Sequence, residues 1–497
     1  MRRLPRHSGL AAARRGDRPC APSAAAESSH PQRAWRRSSP AGSTGARAFC
    51  RLRRTNLRPT GHTAAMSAAR DAAPGTTDSY PPLRTAAWVL YDLANTVYIA
   101  TVTFVFTPYA EATIGDLRGH SIANFLSMLA AALLVPFCGA LADTTARARR
   151  YLTLSTLACI AALAGWYCDL GGFWLLLLFF VANLAYNVAL LFYNALLTSV
   201  APPDRAGRIS GLGVGVGYLG TILVLLLAPM GSPDKRPFFL TAALLFLALS
   251  LPCLLLVRDR RQITLPQGPL GTVMRDANRR LLATLRELPR HPTLMWFLIG
   301  NFCLVDVLNT AVLYFAAFTK EVFAERAAAG YSLFGAVFQG EAGVESFLQI
   351  AGLCLNLIAM LVGISIGRWT DRNPLGVMRT SAVGLLLALI GGALFGGVSP
   401  LGYLCTLVAL GAFGLTGIWT AGRKIVVLLA PPEQVGQYFG LYGITVKLSV
   451  VGAVVYGFVD HAYGSKPAML AQSTQLLLGL GCLLMVRLPA HREAASR

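Results

Sequence analysis

The chain has 497 residues, of which 55% are hydrophobic and only 13% charged, and its mean hydropathy is +0.54. Soluble domains average about 25% charged residues, so this composition excludes a large water-soluble globule. The net charge of +21 would suit nucleic-acid binding, but 16 of the 44 Lys and Arg residues lie between Arg2 and Arg84 and most others in alternate loops, which argues against that partner.

Residues 1–83 form a basic segment rich in Arg, Ser, Ala and Pro, which we predict to be disordered because it cannot bury a core. Two interpretations stay open. An Arg-rich, Ser-rich, acid-poor segment is typical of an organelle transit peptide. Alternatively the start codon is assigned too early and translation begins at Met66, which is the interpretation we favour.

Twelve apolar stretches follow, each long enough to cross a hydrocarbon core of about 30 Å as a helix. They are residues 86–109, 121–142, 151–169, 173–199, 208–230, 237–257, 294–317, 345–366, 377–397, 401–422, 437–458 and 468–487. After residues 1–83, basic residues again favour the loops on one side of the membrane. The positive-inside rule therefore places both termini on the cytoplasmic side of the membrane. That membrane is either a bacterial inner membrane or the membrane of an organelle such as a vacuole.

The chain also contains an internal repeat in which three motifs recur in the same order. The pairs are DLANT (92–96) with DVLNT (306–310), GALADTTARARR (139–150) with IGRWTDRNPLGVMR (366–379), and APPDRAGRISG (201–211) with APPEQVGQYFG (430–440). The repeat predicts two parallel six-helix halves, as in a major facilitator transporter, with the substrate site between them.

The halves are predicted at residues 84–257 and 294–487, with a cytoplasmic linker at 258–293 and a tail at 488–497. The linker contains an Arg-rich amphipathic stretch, Val273 to Leu288, which predicts a helix on the membrane surface.

The loop after the second span resembles the cytoplasmic loop motif of major facilitators. An aspartate in such a loop can cap a helix N-terminus or pair with arginine, and those contacts break when the halves rock. The predicted gating residues are Gly139, Asp143, Arg147 and Arg150, with Gly367, Asp371 and Arg372 in the second copy.

Two aspartates lie inside spans, and a buried membrane carboxylate is a functional candidate because it is costly. Asp92 shares a helix face with Asn95, and Asp306 repeats this arrangement with Asn309. Burial favours the protonated form of a carboxyl group, so each aspartate is either a proton carrier or a structural partner within the bundle. Lys447 is the one cation placed in the interior of a predicted span, away from its ends, and we expect it to pair with Asp306, with a substrate carboxylate as the alternative partner.

Further candidates lie on the fourth and tenth spans. Asn183, Asn187 and Asn194 share one face, which indicates either substrate contact or hydrogen bonding between helices. Trp419 and Arg423, four residues apart, would add an aromatic and a cationic contact unless Arg423 only marks the cytoplasmic end of its span. The glycines of GLGVGVGYLG (211–220) favour close helix packing over a nucleotide site, which would need a preceding strand.

Three stretches narrow the resemblance: WVLYDLANTVY (88–98), YNALLTSVAPPDRAGRISGLGVGVGYLG (193–220) and APPEQVGQYFGLYGITVK (430–447). Together they resemble the autophagy-related vacuolar effluxers, whose bacterial members are called the "unknown major facilitator" family. Fungal members are held to export amino acids from the vacuole. The resemblance implies an exporter of small polar solutes, with amino acids as the leading substrate.

We therefore expect an all-α, twelve-helix secondary transporter that works by alternating access, with protons as a candidate coupling ion and without ATP, cofactor or metal. We expect a monomer, with the lipid bilayer and a small-molecule substrate as its partners. A proton-antiport drug exporter stays open as an alternative, as does a transporter-like sensor or structural protein without flux. No H-E-x-x-H, P-loop or G-x-S-x-G motif indicates an enzyme.

Overall fold

The computed structural model of the chain describes residues 80–115, 118–168, 171–229, 234–260, 270–324, 327–449 and 451–488. The predictions for the N-terminal segment up to residue 79 and for the tail from residue 489 therefore lie outside the described residues. The described chain is almost entirely helical.

Among the described residues we number twelve long helices in chain order, with a separate linker helix between the sixth and the seventh. Helices α1 to α6 are Pro82–Ile114, Arg118–Thr145, Ala148–Gly165, Gly172–Ala195, Ala206–Leu227 and Arg236–Leu256. The linker helix is Leu270–Glu287. Helices α7 to α12 are Pro292–Ala324, Gly340–Arg372, Pro374–Phe395, Pro400–Leu429, Pro432–Tyr463 and Ser465–Leu484.

Eleven helices of the described chain are long and apolar enough to cross a membrane, which confirms an integral, multi-pass, all-α protein. The remaining predicted span corresponds to α3, which packs against α4 and α6. Its 18 residues include Arg149 and Arg150 in the first turn, and these lower its hydropathy below that of the other helices.

Several helices are longer than their apolar stretches. Helices α7 and α8 each have 33 residues, against predicted spans of 294–317 and 345–366. At about 1.5 Å per residue such a helix exceeds the hydrocarbon core, so polar residues continue it beyond the membrane interior. Between α7 and α8, where only a loop was expected, strands β1 (Tyr331–Leu333) and β2 (Ala336–Phe338) form an antiparallel hairpin.

Helix α5 packs with glycine on two faces, which confirms the close-packing interpretation of its glycine-rich sequence. On one face, a Cβ atom added at Gly211 would lie 2.7 Å from the carbonyl oxygen of Gly363 on α8. On the other face, a Cβ atom at Gly220 would lie 2.7 Å from the carbonyl oxygen of Leu93 on α1. Because any side chain would collide with backbone there, α5 holds α1 and α8 at close range.

Candidate functional site

A buried ion pair joins α1 to α10. Arg423 donates from Nη1 to Oδ2 of Asp92 at 2.7 Å and from Nη2 to Oδ1 at 3.3 Å, so the contact is bidentate. The two side chains are only 8% and 9% exposed. Removing one partner of such a pair leaves an uncompensated buried charge, which typically costs about 3–5 kcal/mol.

Aromatic rings surround this pair. Trp88 and Tyr193 stack with their centroids 4.3 Å apart, and Trp88 Nε1 donates to the carbonyl oxygen of Tyr193 at 3.0 Å. The guanidinium carbon of Arg423 lies 5.8 Å from the Trp88 ring and 5.5 Å from the Tyr193 ring, within the ~6 Å reach of a cation–π contact. Gly213 of α5 leaves room for this cluster, because a Cβ atom there would lie 3.0 Å from both Asp92 Oδ2 and the Trp88 ring.

The sequence analysis left Arg423 as either a cationic contact or the cytoplasmic end of its span, and did not identify it as the partner of Asp92. The tenth span was predicted to end at residue 422, whereas α10 continues to Leu429 with Arg423 buried inside it. The apolar run at residues 425–429 was the signal that the helix continues past the arginine. Asn95 lies one turn from Asp92, and neither polar atom of its buried amide has a hydrogen-bond partner among the described residues.

Asp306 has different partners. Its Oδ2 accepts hydrogen bonds from the backbone N–H of Gly452 at 2.7 Å and from Gln475 Nε2 at 2.6 Å. Helix α11 is interrupted after Leu448 and resumes at Val451, so Asp306 lies at the N-terminus of the second segment. An anion at that position is stabilised by the free N–H groups and the helix dipole.

The predicted ion pair between Lys447 and Asp306 is wrong. Lys447 is 6% exposed, and across the described part of the chain it makes no ion pair and no side-chain hydrogen bond. The physical reason is the interruption of α11, which supplies Asp306 with backbone donors in place of the ammonium group.

The asparagines of α4 divide into two groups. Asn183 Nδ2 donates to Ser127 Oγ at 2.7 Å and to Asn124 Oδ1 at 3.2 Å, and Asn187 Nδ2 donates to the carbonyl oxygen of Asn183 at 2.7 Å. For these two the structure supports hydrogen bonding within the bundle. Asn194 is buried, and its side-chain oxygen has no partner among the described residues.

Two other candidates, Asn309 on α7 and Trp419 on α10, are half-buried. Trp419 lies one turn from Arg423 on the same helix, whereas Asn309 lies near Asp306 on α7. The structure therefore brings Asp92 and Arg423 together, with Asn95 one turn from Asp92, and gives Asp306 and Lys447 no contact with this pair.

The two predicted gating aspartates occupy equivalent positions. Asp143, near the end of α2, accepts hydrogen bonds from the backbone N–H groups of Gly436 at 2.8 Å and Gln437 at 2.7 Å, at the start of α11. Asp371, near the end of α8, accepts from Gly207 at 2.6 Å and Arg208 at 3.0 Å, at the start of α5. Each aspartate thus caps the N-terminus of a helix from the other set of six.

Close backbone approach accompanies both caps. A Cβ atom at Gly139 would lie 2.2 Å from the carbonyl oxygen of Gly436, and one at Gly367 would lie 2.6 Å from Arg208 Cα. Lys424 adds an ion pair to Asp371 at 3.0 Å and donates to the carbonyl oxygen of Pro203. The other gating candidates, Arg147, Arg150 and Arg372, are exposed at the surface.

These contacts lie at one end of the molecule. The Asp143 and Asp371 caps, the Lys424 contacts and the Asp92–Arg423 pair all occur toward the ends at which α1, α5 and α11 begin. The described conformation is therefore closed on that side.

This helix arrangement is the fold of the major facilitator superfamily (MFS). The structure resembles the crystal structure of the human organic anion transporter MFSD10 with a TM-score of 0.62 and 15% sequence identity, covering 81% of this chain and 100% of that one. Among sequence relatives, the uncharacterised MFS-type transporter YxiO of Bacillus subtilis (strain 168) is 24% identical over 431 residues, covering 81% of this chain and 94% of its own. An uncharacterised protein of Aquifex aeolicus (strain VF5) is 26% identical over 385 residues, covering 76% of this chain and 89% of its own.

The family is narrower than the superfamily. Residues 120–496 match the model of the family described as "Vacuole effluxer Atg22 like", so the chain belongs to that family. The matched range begins after the WVLYDLANTVY stretch, and it includes the gating loops and both APP motifs. The protein is therefore an MFS-type membrane transporter of small molecules and not an enzyme.

Proposed function

We propose that the protein is a secondary active transporter that exports amino acids by alternating access. The observation that carries this proposal is the buried, bidentate pair of Asp92 and Arg423. A free amino acid carries an α-carboxylate and an α-ammonium group a few ångströms apart. Once the pair separates, Arg423 matches the carboxylate and Asp92 matches the ammonium group.

The charge pattern explains why an empty site stays closed. Without substrate, the two buried charges satisfy each other across α1 and α10. Separating them without a replacement would leave both charges unpaired in a low-dielectric site, which is costly. A zwitterion supplies a partner to each, so substrate binding lowers the energy of the separated state.

The two helix caps support alternating access. Opening the closed side requires Asp143 to leave the start of α11 and Asp371 to leave the start of α5. On opening, hydrogen bonds between each aspartate and the backbone N–H groups are replaced by hydrogen bonds to water. The closed and open states therefore differ by a modest free energy. With the positive-inside orientation, the closed side faces the cytoplasm.

Proton coupling follows from the same pair in this proposal. In the separated state a buried carboxyl group without a cation favours its protonated form. A proton would then bind Asp92 in one conformation and leave it in the other, and Asp306 is the second candidate for this role.

The experiment uses the full chain reconstituted in liposomes, with counterflow of a labelled amino-acid mixture measured with and without an imposed pH gradient. We expect counterflow that responds to the gradient, and Asp92→Asn should lower it at least tenfold, equivalent to about 1.4 kcal/mol or more. Asp234→Asn is the matched control, because Asp234 is an exposed loop carboxylate that contacts its neighbour Arg236.

No counterflow from folded protein would overturn the amino-acid assignment, and flux of lipophilic drugs in its place would support the drug-exporter alternative. Flux unchanged in Asp92→Asn would overturn the role of the pair. A monomer is proposed for the transporting unit, and size measurement of the reconstituted protein tests it.

A further inference from the structure

The linker helix packs on α2 through a narrow apolar face. The residues of this contact are Ala277 and Leu281 on the linker helix and Phe137, Ala140 and Leu141 on α2. Thr284 on the same face donates to Gln437 Oε1 of α11 at 2.9 Å. The helix is thus fixed to the ends of two membrane helices.

The position of this contact places the linker helix at the membrane interface. Helix α2 has 28 residues and is about 42 Å long, so its last turns extend beyond a hydrocarbon core of about 30 Å. Phe137 and Leu141 point away from Gly139, which faces α11, because residues two apart lie on opposite sides of a helix. The contact residues on α2 occupy the last two turns of the predicted span 121–142, so the linker helix lies on the outer side of α2, at the boundary between the acyl chains and the lipid headgroups.

Exposed apolar side chains continue from the packed face around the linker helix. Met274, Leu282 and Leu285 are 43%, 44% and 39% exposed. At 100° per residue they occupy the sector next to the face that packs on α2. On a helix fixed at headgroup level, such a sector is covered by the acyl boundary of the bilayer.

A row of arginines follows the exposed apolar sector. Arg275, Arg279 and Arg286 are exposed and fall within one narrow sector, at spacings i, i+4 and i+11. In the described part of the chain, none of the three makes a salt bridge. The acidic residues Asp276 and Glu287 lie opposite the exposed apolar sector and about 60–120° around the helix from the arginine row.

We propose that Arg275, Arg279 and Arg286 form a binding site for the phosphate groups of anionic phospholipids in the adjacent leaflet. The apolar sector inserts beside them, and the guanidinium groups donate to the phosphates. Each basic residue near an anionic surface strengthens binding by about 1 kcal/mol, or about fivefold. This site is independent of the solute that the protein carries.

Lipid binding at this row also acts on the closed side of the transporter. Gln437, which accepts from Thr284, donates its backbone N–H to Asp143 in the α11 cap. Holding the linker helix against the membrane therefore favours the capped, closed conformation. Anionic lipid would lower hydrogen exchange both in the linker helix and at the start of α11.

The experiment titrates phosphatidylglycerol, and phosphatidylcholine in parallel, into the full chain in neutral detergent. Hydrogen–deuterium exchange is followed at residues 271–288 and 435–440. We expect protection by phosphatidylglycerol only, weakened at high salt. Arg279→Gln should lower the apparent affinity about fivefold, and the triple substitution of Arg275, Arg279 and Arg286 by Gln should abolish protection.

Arg280→Gln is the matched control, because it removes the same charge from an exposed residue about 100–140° around the helix from the row, beside Asp276 and Glu287. Equal losses in Arg279→Gln and Arg280→Gln would overturn the site in favour of a general charge effect. Protection by inorganic phosphate alone would show that the three arginines bind a free anion. Equal protection by phosphatidylcholine would show that binding does not depend on the net negative charge of the lipid. Unchanged melting temperatures show that the variants are folded.

Discussion

Asp92 and Asp306 occupy corresponding positions of the sequence repeat but hold the molecule together in different ways. Asp92 reaches across to Arg423 on α10, so its contact must change when the closed side opens. Asp306 binds the interrupted helix α11 and Gln475 of α12, so all its described partners belong to the last six helices. The repeat therefore predicts where a carboxylate lies, whereas the partner decides whether its contact joins the two sets of six helices.

The residues around the two aspartates account for this difference. In the register of the APP motifs, Arg423 corresponds to Asn194, so the first half has no arginine to offer Asp306. In the register of DLANT and DVLNT, Trp88 corresponds to Phe302, which has no indole N–H. The first repeat thus carries the ion pair with its aromatic surroundings, and the second carries a helix interruption.

The largest expected effect is on the cross-molecule pair. Asp92→Asn or Arg423→Gln alone should each destabilise the protein by about 3–5 kcal/mol, because one buried charge stays unpaired. The double variant should cost clearly less than the sum, since neither charge remains. Chemical unfolding of the four proteins in detergent measures this coupling.

An exposed pair serves as the control for that cycle. Lys320 and Glu345 are 51% and 59% exposed and 3.5 Å apart, and their coupling should not exceed about 1 kcal/mol. Additive effects at Asp92 and Arg423 would show that the pair is not energetically coupled and would remove the contrast with Asp306.

A smaller effect is expected at Asp306. Asp306→Ala leaves the N–H of Gly452 and the amide of Gln475 without an acceptor, at about 1–3 kcal/mol for each buried group. Asp306→Asn keeps one oxygen that accepts both bonds, so it should cost about 1 kcal/mol or less. Thermal unfolding measures the stability, and counterflow should persist in Asp306→Asn. If that variant lost transport as completely as Asp92→Asn, the two aspartates would have equal roles.

The effect expected at Trp88 is smaller than that of Asp306→Ala. Trp88→Phe gives α1 the residue that α7 carries at position 302, removes the hydrogen bond to Tyr193 and weakens the cation–π contact with Arg423. We expect a loss of about 1–2 kcal/mol in unfolding free energy. Trp174→Phe is the control, because Trp174 is 56% exposed near the start of α4 and should leave stability unchanged. A larger loss from the control would show that indole removal alone explains the result.

Apolar length and the repeat were enough to predict the fold, because both follow from burying helices in lipid. Helix ends were less predictable, since polar residues continue α7 and α8 past the hydrocarbon core. For the same reason, the sequence left open whether Arg423 only marks the cytoplasmic end of its span. An arginine that finds a carboxylate inside the bundle has the same local sequence as one at a helix end.

For contacts between distant helices, the type of contact could be predicted from the sequence, but the helices that it joins could not. An aspartate after a glycine in a short loop indicated a helix cap, and Asp143 and Asp371 both form one, but nothing in the sequence specified α11 and α5 as the capped helices. The expected Lys447–Asp306 pair assumed a continuous α11. No proline marks its interruption, so the donors that replaced Lys447 could not be foreseen.

The two glycine faces of α5 affect how easily this helix can slide against its neighbours. Interlocked side chains resist sliding, because each must change rotamer before a neighbouring helix can pass. At Gly211 and Gly220 the backbone of α5 packs directly against the backbone of its neighbours, so few side chains interlock there. In the proposed rocking motion, most of the resistance would then come from the few polar contacts at one end, and little from side chains along α5.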